Sequence, residues 1–410
     1  MQYTAYFFRI YPTDKQKELF VKTFGCVRSM YNKMLADKIE HYKQTKKMLK
    51  NTPAQYKEKF PYFKEVDSLA LANAQFHLEG AFSNFFKNPM FGFPNFKSKK
   101  NTRRSYTTNL VKNNIELKSG KLKLPKVGFV KIKQHREIPE GYILKAVTVS
   151  QRGSGKFYAS ILFEYEKKII NKEPQSFLGM DYSMHDLYVD SEGNKGEYER
   201  FYRKSEQKLK REQRKLSLMK KGSKNRAKQR IKVAKVHEKI ANRRKDFIHK
   251  KSRQIANVYD CVCIENLDMK GMSQSLNFGK SVHDNAFGMF MEMLSYKLKR
   301  QGKYLVEVDK FYPSSQLCSV CGYQNRETKD LSIREWICPQ CGTKHDRDIN
   351  SAVNLLKEGK RLLLNQIKKR TEGHSGIACC EVKAHCFDHE INRTGTPFSI
   401  SEGRMSHGKF

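Results

Sequence analysis

Apolar and polar positions alternate over residues 3–11, which predicts a β-strand closed by Pro12. From Thr13 the period lengthens. Leu19, Phe20, Phe24, Val27, Met30, Tyr31 and Met34 recur every three or four residues, the spacing of one face of a long amphipathic helix. A second helix is expected from about Asp67, through Leu71, Ala74, Phe76 and Leu78 to Phe82 and Phe85. The run PMFGFPNFKSKKN, 89–101, breaks that period. Short strand-like runs follow at 114–117, 122–124 and 127–132, then a hairpin whose arms, 146–150 and 157–163, flank the glycines of QRGSGK. Such strands build a small barrel or sheet. If the first strand joins it, the helices are an insertion. Residues 167–174 read as a linker.

A new domain is expected from Phe177. FLGMD is a short apolar strand ending in an acid, and HDLYVDSEGN is a second strand closed by a turn. Leu209, Leu216, Ile231, Val236, Ile240 and Phe247 keep a broken helical period, interrupted near Gly222, which predicts two antiparallel helices. A buried-looking strand, 259–264, again ends in an acid, Glu265. Phe287, Phe290, Met291, Leu294 and Leu298 mark a helix, 304–308 another strand, and 349–364 a final helix beginning at two aspartates. The fold class is therefore α+β with several domains. The polar, weakly patterned stretch 371–410 is expected to be a poorly ordered tail.

Charge narrows the partners. Eighty Lys and Arg against 42 Asp and Glu give +38 over 410 residues, which fits an extended polyanion-binding surface rather than a neutral metabolic enzyme. Residues 201–254 alone hold 22 Lys and Arg against four acids. Ordinary solvated helix faces are far less basic, so this region is expected to contact nucleic acid. An anionic membrane would also attract such charge, but the sequence has no long apolar run and no charged-then-apolar leader. Intracellular nucleic acid is the expected partner, and no membrane.

Ten cysteines in so long a chain do not resemble a secreted disulfide framework. Cys318, Cys321, Cys338 and Cys341 form two CxxC pairs with sixteen residues between them, a strong zinc signal, because each CxxC turn offers two thiolates to a tetrahedral ion. Cys26, Cys261 and Cys263 sit in apolar patterns and read as core. Cys379, Cys380 and Cys386, with His385 and His389, are a weaker candidate for a second metal site because their spacing is irregular.

Three acids stand at element ends. Asp181 and Glu265 follow apolar strands, which puts them at the carboxyl edge of a sheet, where open α/β folds place their sites. Asp348 stands where the last helix begins. Converging, the three would bind two Mg²⁺ ions suited to phosphodiester hydrolysis. Each also has a plain structural role open to it: a turn for Asp181, a helix N-terminus for Glu265, a cap for Asp348. Asp346 competes with Asp348, although it would then be free to hold Arg347 or His345. Asp190, in the turn-like DSEGN, is a weaker rival to Asp181.

The stretches GMD around Asp181, KVHEKIANRRKDFIHKKS, CIENLDMKGM around Glu265, FYPSSQLCSVCG and WICPQCGTKHDRDINSAVNLL occur in an order and spacing that resembles the TnpB family. These are transposon-associated relatives of the type V CRISPR nucleases, and the resemblance covers nearly the whole chain. It implies a RuvC/RNase H-like nuclease domain over 175–317 and 342–370, with Asp181, Glu265 and Asp348 as its catalytic, Mg²⁺-binding acids. It also implies a zinc finger over 318–341, held by Cys318, Cys321, Cys338 and Cys341. The N-terminal half would be a wedge barrel, 1–12 and 103–174, interrupted by a helical recognition domain, 13–102. The implied activity is RNA-guided: a transposon-end guide RNA directs cleavage of double-stranded DNA beside a short adjacent motif. One departure stands out, since the family often has glycine shortly after the first acid and this chain has Asp181-Tyr182-Ser183. A compact type V CRISPR effector, a transposase or transposition regulator, and a non-catalytic RNA-guided repressor are the alternatives.

Overall fold

The computed structural model describes residues 1–100, 104–171, 173–275, 284–330 and 332–372; the expected tail, apart from residues 371 and 372, which end the last helix, lies outside them with its Cys and His scatter. The chain forms two compact units, the first running from Met1 to Lys167 and the second beginning at Lys168.

The first unit is built on an antiparallel sheet. Its strands are β1 (Gln2–Tyr11), β2 (Arg104–Asn109), β3 (Glu116–Lys118), β4 (Lys121–Leu124), β5 (Gly128–Lys133), β6 (Ile143–Gln151) and β7 (Phe157–Tyr165), in the order β2-β6-β7-β1-β5-β4-β3. The first strand thus lies inside the sheet, between β7 and β5. Three helices, α1 (Asp14–Thr45), α2 (Pro53–Lys59) and α3 (Ser68–Lys87), fall between this first strand of the sheet and the next strand in sequence, β2.

Local chemistry starts these helices. The Thr13 hydroxyl accepts from the Gln16 amide and the Gln16 side chain accepts from the Thr13 amide, a reciprocal box that stabilises a helix start by about 1 kcal/mol. Asp67 caps α3 through the Leu69 amide. Phe20, Phe24, Val27, Met30 and Met34 are buried along α1 and Leu71, Ala74, Leu78 and Phe82 along α3, in one core with Phe8 and Ile10 of β1. Two elements escaped the pattern. The helix α2 is a short piece closed by a buried Tyr56, and β2 is a polar strand whose Thr107 hydroxyl bonds that of Thr148, 2.8 Å away on β6.

The second unit carries a four-stranded sheet of β8 (Phe177–Ser183), β9 (Leu187–Asp190), β10 (Cys261–Glu265) and β11 (Tyr304–Val308), ordered β11-β10-β8-β9. Both neighbours of β10 run parallel to it, and β9 turns back antiparallel to β8. Helices α4 (Phe201–Leu218) and α5 (Lys224–Val258) form the basic pair, separated near Gly222. The short helix α6 (Met269–Ser275), then α7 (Phe287–Arg300) and the last helix α8 (Arg347–Glu372) complete the unit. A two-stranded ribbon, β12 (Glu335–Ile337) with β13 (Lys344–Asp346), flanks the second CxxC pair. Ile248, Ile255, Phe290 and Leu294 pack against Leu178, Met180, Val262 and Ile264 of the sheet.

Gly179 decides how closely α8 can lie on this sheet. A Cβ there would stand 2.0 Å from the Ala352 carbonyl oxygen and 2.8 Å from Leu356 Cβ. Farther along the helix, Gly359 plays the reciprocal part, since its Cβ would meet Cys263 Sγ at 2.4 Å. Two missing side chains, one on the strand and one on the helix, allow α8 to press on β8 and β10.

Candidate active site and metal centre

The parallel pairing sets Asp181 beside Glu265. Met180 of β8 is opposite Ile264 of β10, and each acid is the next residue along its strand. Adjacent strands lie about 4.8 Å apart, so the two carboxylates are neighbours at the carboxyl edge. Asp348 arrives on the first turn of α8, one turn ahead of Ala352, which touches the bare Gly179. Segments far apart in sequence thus meet at one point.

The three acids are half-buried. Burial, then the charges of Glu265 and Asp348, push the Asp181 carboxyl up to about 7, even though it accepts from the Tyr182 amide at 3.0 Å. Burial alone pushes Glu265 up to about 7. Carboxylates crowded in this way are short of cations, and divalent ions with oxygen ligands suit such a set. The donor chemistry and the half-open burial fit magnesium.

One cation is already present. Arg334 reaches both oxygens of Asp348 at 3.3 Å. Its carbonyl accepts from the Arg347 amide at 2.8 Å, which extends the β12–β13 ladder and fixes its place beside the start of α8. Sequence reasoning missed Arg334, because fourteen residues separate it from Asp348 and only the ribbon brings them together.

Two rival acids take structural parts. Asp346 accepts from the amides of Asp348 and Ile349 at 2.9 and 3.0 Å, capping α8 rather than holding Arg347 or His345. Asp190 is buried, and its carboxylate closes the turn by accepting from the Glu192 and Asn194 amides.

The four cysteines come together. The sulfurs of Cys318, Cys321, Cys338 and Cys341 all lie within 4.8 Å of one another, with Cys318–Cys341 and Cys321–Cys338 at 3.6 Å. Tetrahedral zinc with bonds of about 2.3 Å needs sulfurs roughly 3.8 Å apart, so the set fits that ion. Both CxxC turns share one construction. Cys318 and Cys338 accept from Gly322 and Gly342, each in the left-handed region, and donate to Tyr323 and Thr343. The Thr343 hydroxyl, 3.2 Å from Cys341 Sγ, and then its backbone hold that thiol down to about 6, toward the thiolate a metal requires. His345, its ring against Trp336, brings Nε2 to 3.1 Å from Cys318 Sγ.

Short polar side chains on α8 tie the start of the cysteine segment to that helix. Asn350 donates to the Leu317 carbonyl and accepts from the Ser319 amide, while Asn354 donates to the carbonyls of Ser314 and Leu317. The Ser351 hydroxyl bonds that of Ser314 at 2.9 Å. All three are buried. In the sequence, Asn350, Ser351 and Asn354 stand among the apolar positions of this helix, where short polar residues need partners.

The basic helices are tied to the same unit. Asp284 accepts from the Tyr202 and Arg203 amides at the start of α4 and from Arg244 of α5 at 3.3 Å. Gln229 of α5 donates to the carbonyl and carboxylate of Glu212 on α4. Most of their lysines and arginines remain exposed. Among the described residues, no helix is long and apolar enough to cross a membrane.

Fold and site define a class first: an α+β protein with acids gathered at the carboxyl edge of a parallel sheet, beside a four-cysteine module. A cryo-EM structure titled as the Cas12f1-sgRNA-target DNA complex has a similar fold, with a TM-score of 0.56 at 15% identity, covering 84% of this chain and 83% of that one. A family described as "Probable transposase" (OrfB of IS605) matches residues 160–276, and the Cas12f1-like TNB domain matches 287–355. A "Helix-turn-helix domain" of the same OrfB group matches 1–47, where this structure has one strand and one continuous helix.

A Streptomyces pristinaespiralis protein named "Putative RNA-guided DNA endonuclease" is 35% identical, over 87% of this chain and 89% of its own. InsQ of Escherichia coli K12, carrying the same description, is 28% identical over 88% and 93%. The chain belongs to the TnpB family.

Proposed function

We propose that this protein is an RNA-guided DNA endonuclease that binds a transposon-derived guide RNA and cuts double-stranded DNA beside a short adjacent motif. The observation that carries the proposal is the meeting of Asp181, Glu265 and Asp348 at one edge of the sheet. The names of its relatives support the same activity.

On this reading the β8–β11 sheet and α8 are the core of a RuvC-like nuclease, and Asp181, Glu265 and Asp348 hold magnesium. Two such ions would supply the positive charge that phosphodiester hydrolysis needs, since attack builds negative charge on oxygens already charged. The residues prepare the site. Gly179 lets α8 approach, Asp346 caps that helix, and Arg334 holds Asp348. Asp181 and Glu265 must release the protons that burial keeps on them before they serve as ligands. Cys318, Cys321, Cys338 and Cys341 would hold one zinc ion, fixing the ribbon that carries Arg334.

The wedge barrel, 1–12 and 103–174, and the recognition helices of 13–102 would occupy the first unit, except for residues 168–174, which belong to the second. The exposed cations of α4 and α5 would bind phosphates of the guide and target. Guide pairing then provides most of the sequence specificity, leaving the protein to read the adjacent motif. The match to a Cas12f1-like domain favours a second reading, a compact CRISPR effector with the same chemistry; a repeat array rather than transposon ends beside the gene would select it.

The test is to purify the protein with its native flanking RNA and sequence the RNA that copurifies. That RNA is then used to program cleavage of a randomised target library. Cuts at guide-matched sites beside one short motif are expected. Uncut libraries in the presence of magnesium would overturn the proposal.

A further inference from the structure

The last turn of α3 and the loop after it expose large apolar side chains on a fixed scaffold. Met90 is 93% exposed, Phe86 and Phe91 each 60%, and Phe96 57%. Scattered exposed apolar residues are ordinary, but a group this dense within eleven positions marks an interaction site.

The loop is held in shape. Asn88 Oδ1 accepts from the Met90 amide and the Asn88 carbonyl from the Phe91 amide, both at 3.0 Å, so the tip is a defined turn. Phe93 packs edge-on against Phe82 and Phe85, with ring centres 5.5 and 5.6 Å apart. Asn32 of α1 clamps the far end, donating to the Lys97 carbonyl at 3.0 Å and accepting from its amide at 2.8 Å. Fixing the loop in advance lowers the entropic cost of binding.

Charge identifies the class of partner. From Gly80 to Ile115 the chain contains no Asp or Glu but seven Lys and Arg; Lys87, Lys99 and Lys100 flank the loop, while Lys97 turns its ammonium onto the Tyr31 ring, 3.8 Å from its centre. Aromatic faces set among cations suit nucleic acid, whose bases stack while its phosphates meet the lysines. The chemistry also separates target from guide. The exposed side chains at the tip, Met90 and Phe91, have no hydrogen-bonding groups, and stacking accepts every base alike. The scaffold of a guide is constant and can be read by base edges, whereas the opened target differs from site to site. A sequence-blind surface fits the variable strand.

We propose that Phe91 stacks on, and Met90 packs against, unpaired bases of the target DNA as its duplex opens, holding the opened state, with Phe86 and Phe96 as further exposed rings on the flanking residues. This rests on the RNA-guided nuclease reading above. It adds a site and a step to that reading: aromatic capture of bases released from the duplex.

The experiment uses the full-length, guide-loaded protein and two targets, one fully paired and one carrying a pre-opened mismatched bubble beside the adjacent motif. Because Met90 and Phe91 are exposed, the double variant Met90→Ala/Phe91→Ala is expected to fold. It should cut the paired target about tenfold more slowly and the pre-opened target within about twofold of wild type, with Phe91→Trp close to wild type on both. A 2-aminopurine placed in the opened strand should be quenched by wild type and not by the double variant. Equal rates on the paired target, or equal losses on both targets, would overturn the proposal. So would a loss that tracks a change in sedimentation, which would make the patch a contact between copies of the chain. If wild type leaves even the pre-opened target uncut, the nuclease reading itself falls, and this inference with it.

Discussion

Gly179 and Ala352 touch where a side chain would forbid it: a Cβ on Gly179 would lie 2.0 Å from the Ala352 carbonyl oxygen. That oxygen belongs to helix backbone and cannot swing aside. The contact sets the distance between β8 and α8, and therefore the distance between Asp181 and Asp348.

Gly179→Ala should accordingly destabilise the second unit by at least about 1–3 kcal/mol, the usual cost of overpacking. It should also depress cleavage more than the stability loss explains, because α8 must retreat. Melting curves and cleavage rates at a temperature where the variant is fully folded check this. A folded variant with wild-type cleavage would show that the approach of α8 is not required.

The raised carboxylates of Asp181 and Glu265 give a pH dependence with a definite sign. Their folded values near 7 exceed the ordinary 3.8 and 4.5, so the folded metal-free protein holds protons that the unfolded chain releases. Stability contributed this way is full below about pH 4 and declines as pH rises towards 7. Magnesium competes with the same protons. Its affinity should rise through pH 6–7, by up to about tenfold per pH unit for each proton displaced, and level off above. Calorimetric titration with magnesium between pH 5.5 and 8.5 reads the slope; a flat profile would contradict the burial assigned to these acids.

Arg334 and Asp348 invite a more modest expectation. The Arg334 side chain is 65% exposed, and pairs of that kind are worth less than about 1 kcal/mol. An incoming divalent ion can therefore displace it cheaply. Arg334→Gln should alter magnesium affinity by less than about fivefold, and a larger change would mean that the arginine gates the site.

Replacing one of the four clustered cysteines should act on the module before the chemistry. Cys338→Ser should lower bound zinc, measured by elemental analysis, and leave 318–346 open to protease, because metal binding provides much of a small module's folding energy. Zinc content equal to wild type would refute the four-thiolate site.

The elements found from sequence were those with a strong apolar period. Helix α1 shows its buried face at every turn, and β8 and β10 are apolar runs ending in acids. The strand β2 was hidden because it is polar and its Thr107 hydroxyl is satisfied across the sheet by Thr148, which no local pattern encodes. The four cysteines were legible from spacing, since both CxxC turns are local structures. Asp181, Glu265 and Asp348 could be nominated singly from the pattern and joined only through the family resemblance, because their meeting depends on parallel pairing and on Gly179. Arg334 was beyond reach for the same reason, as its position comes from a ribbon register. The aspartates of DRD were separable only by hydrogen bonding: Asp346 spends its carboxylate on helix amides, which leaves Asp348 to face Asp181.

The central claim is that Asp181, Glu265 and Asp348 form one metal-dependent cutting site, and Asp181→Ala tests it most directly. Guide RNA binding by gel shift should match wild type, because Asp181 lies at the sheet edge and not among the exposed cations of α4 and α5. Cleavage of a guide-matched duplex in magnesium should fall below detection. Cleavage at the wild-type rate would contradict the account.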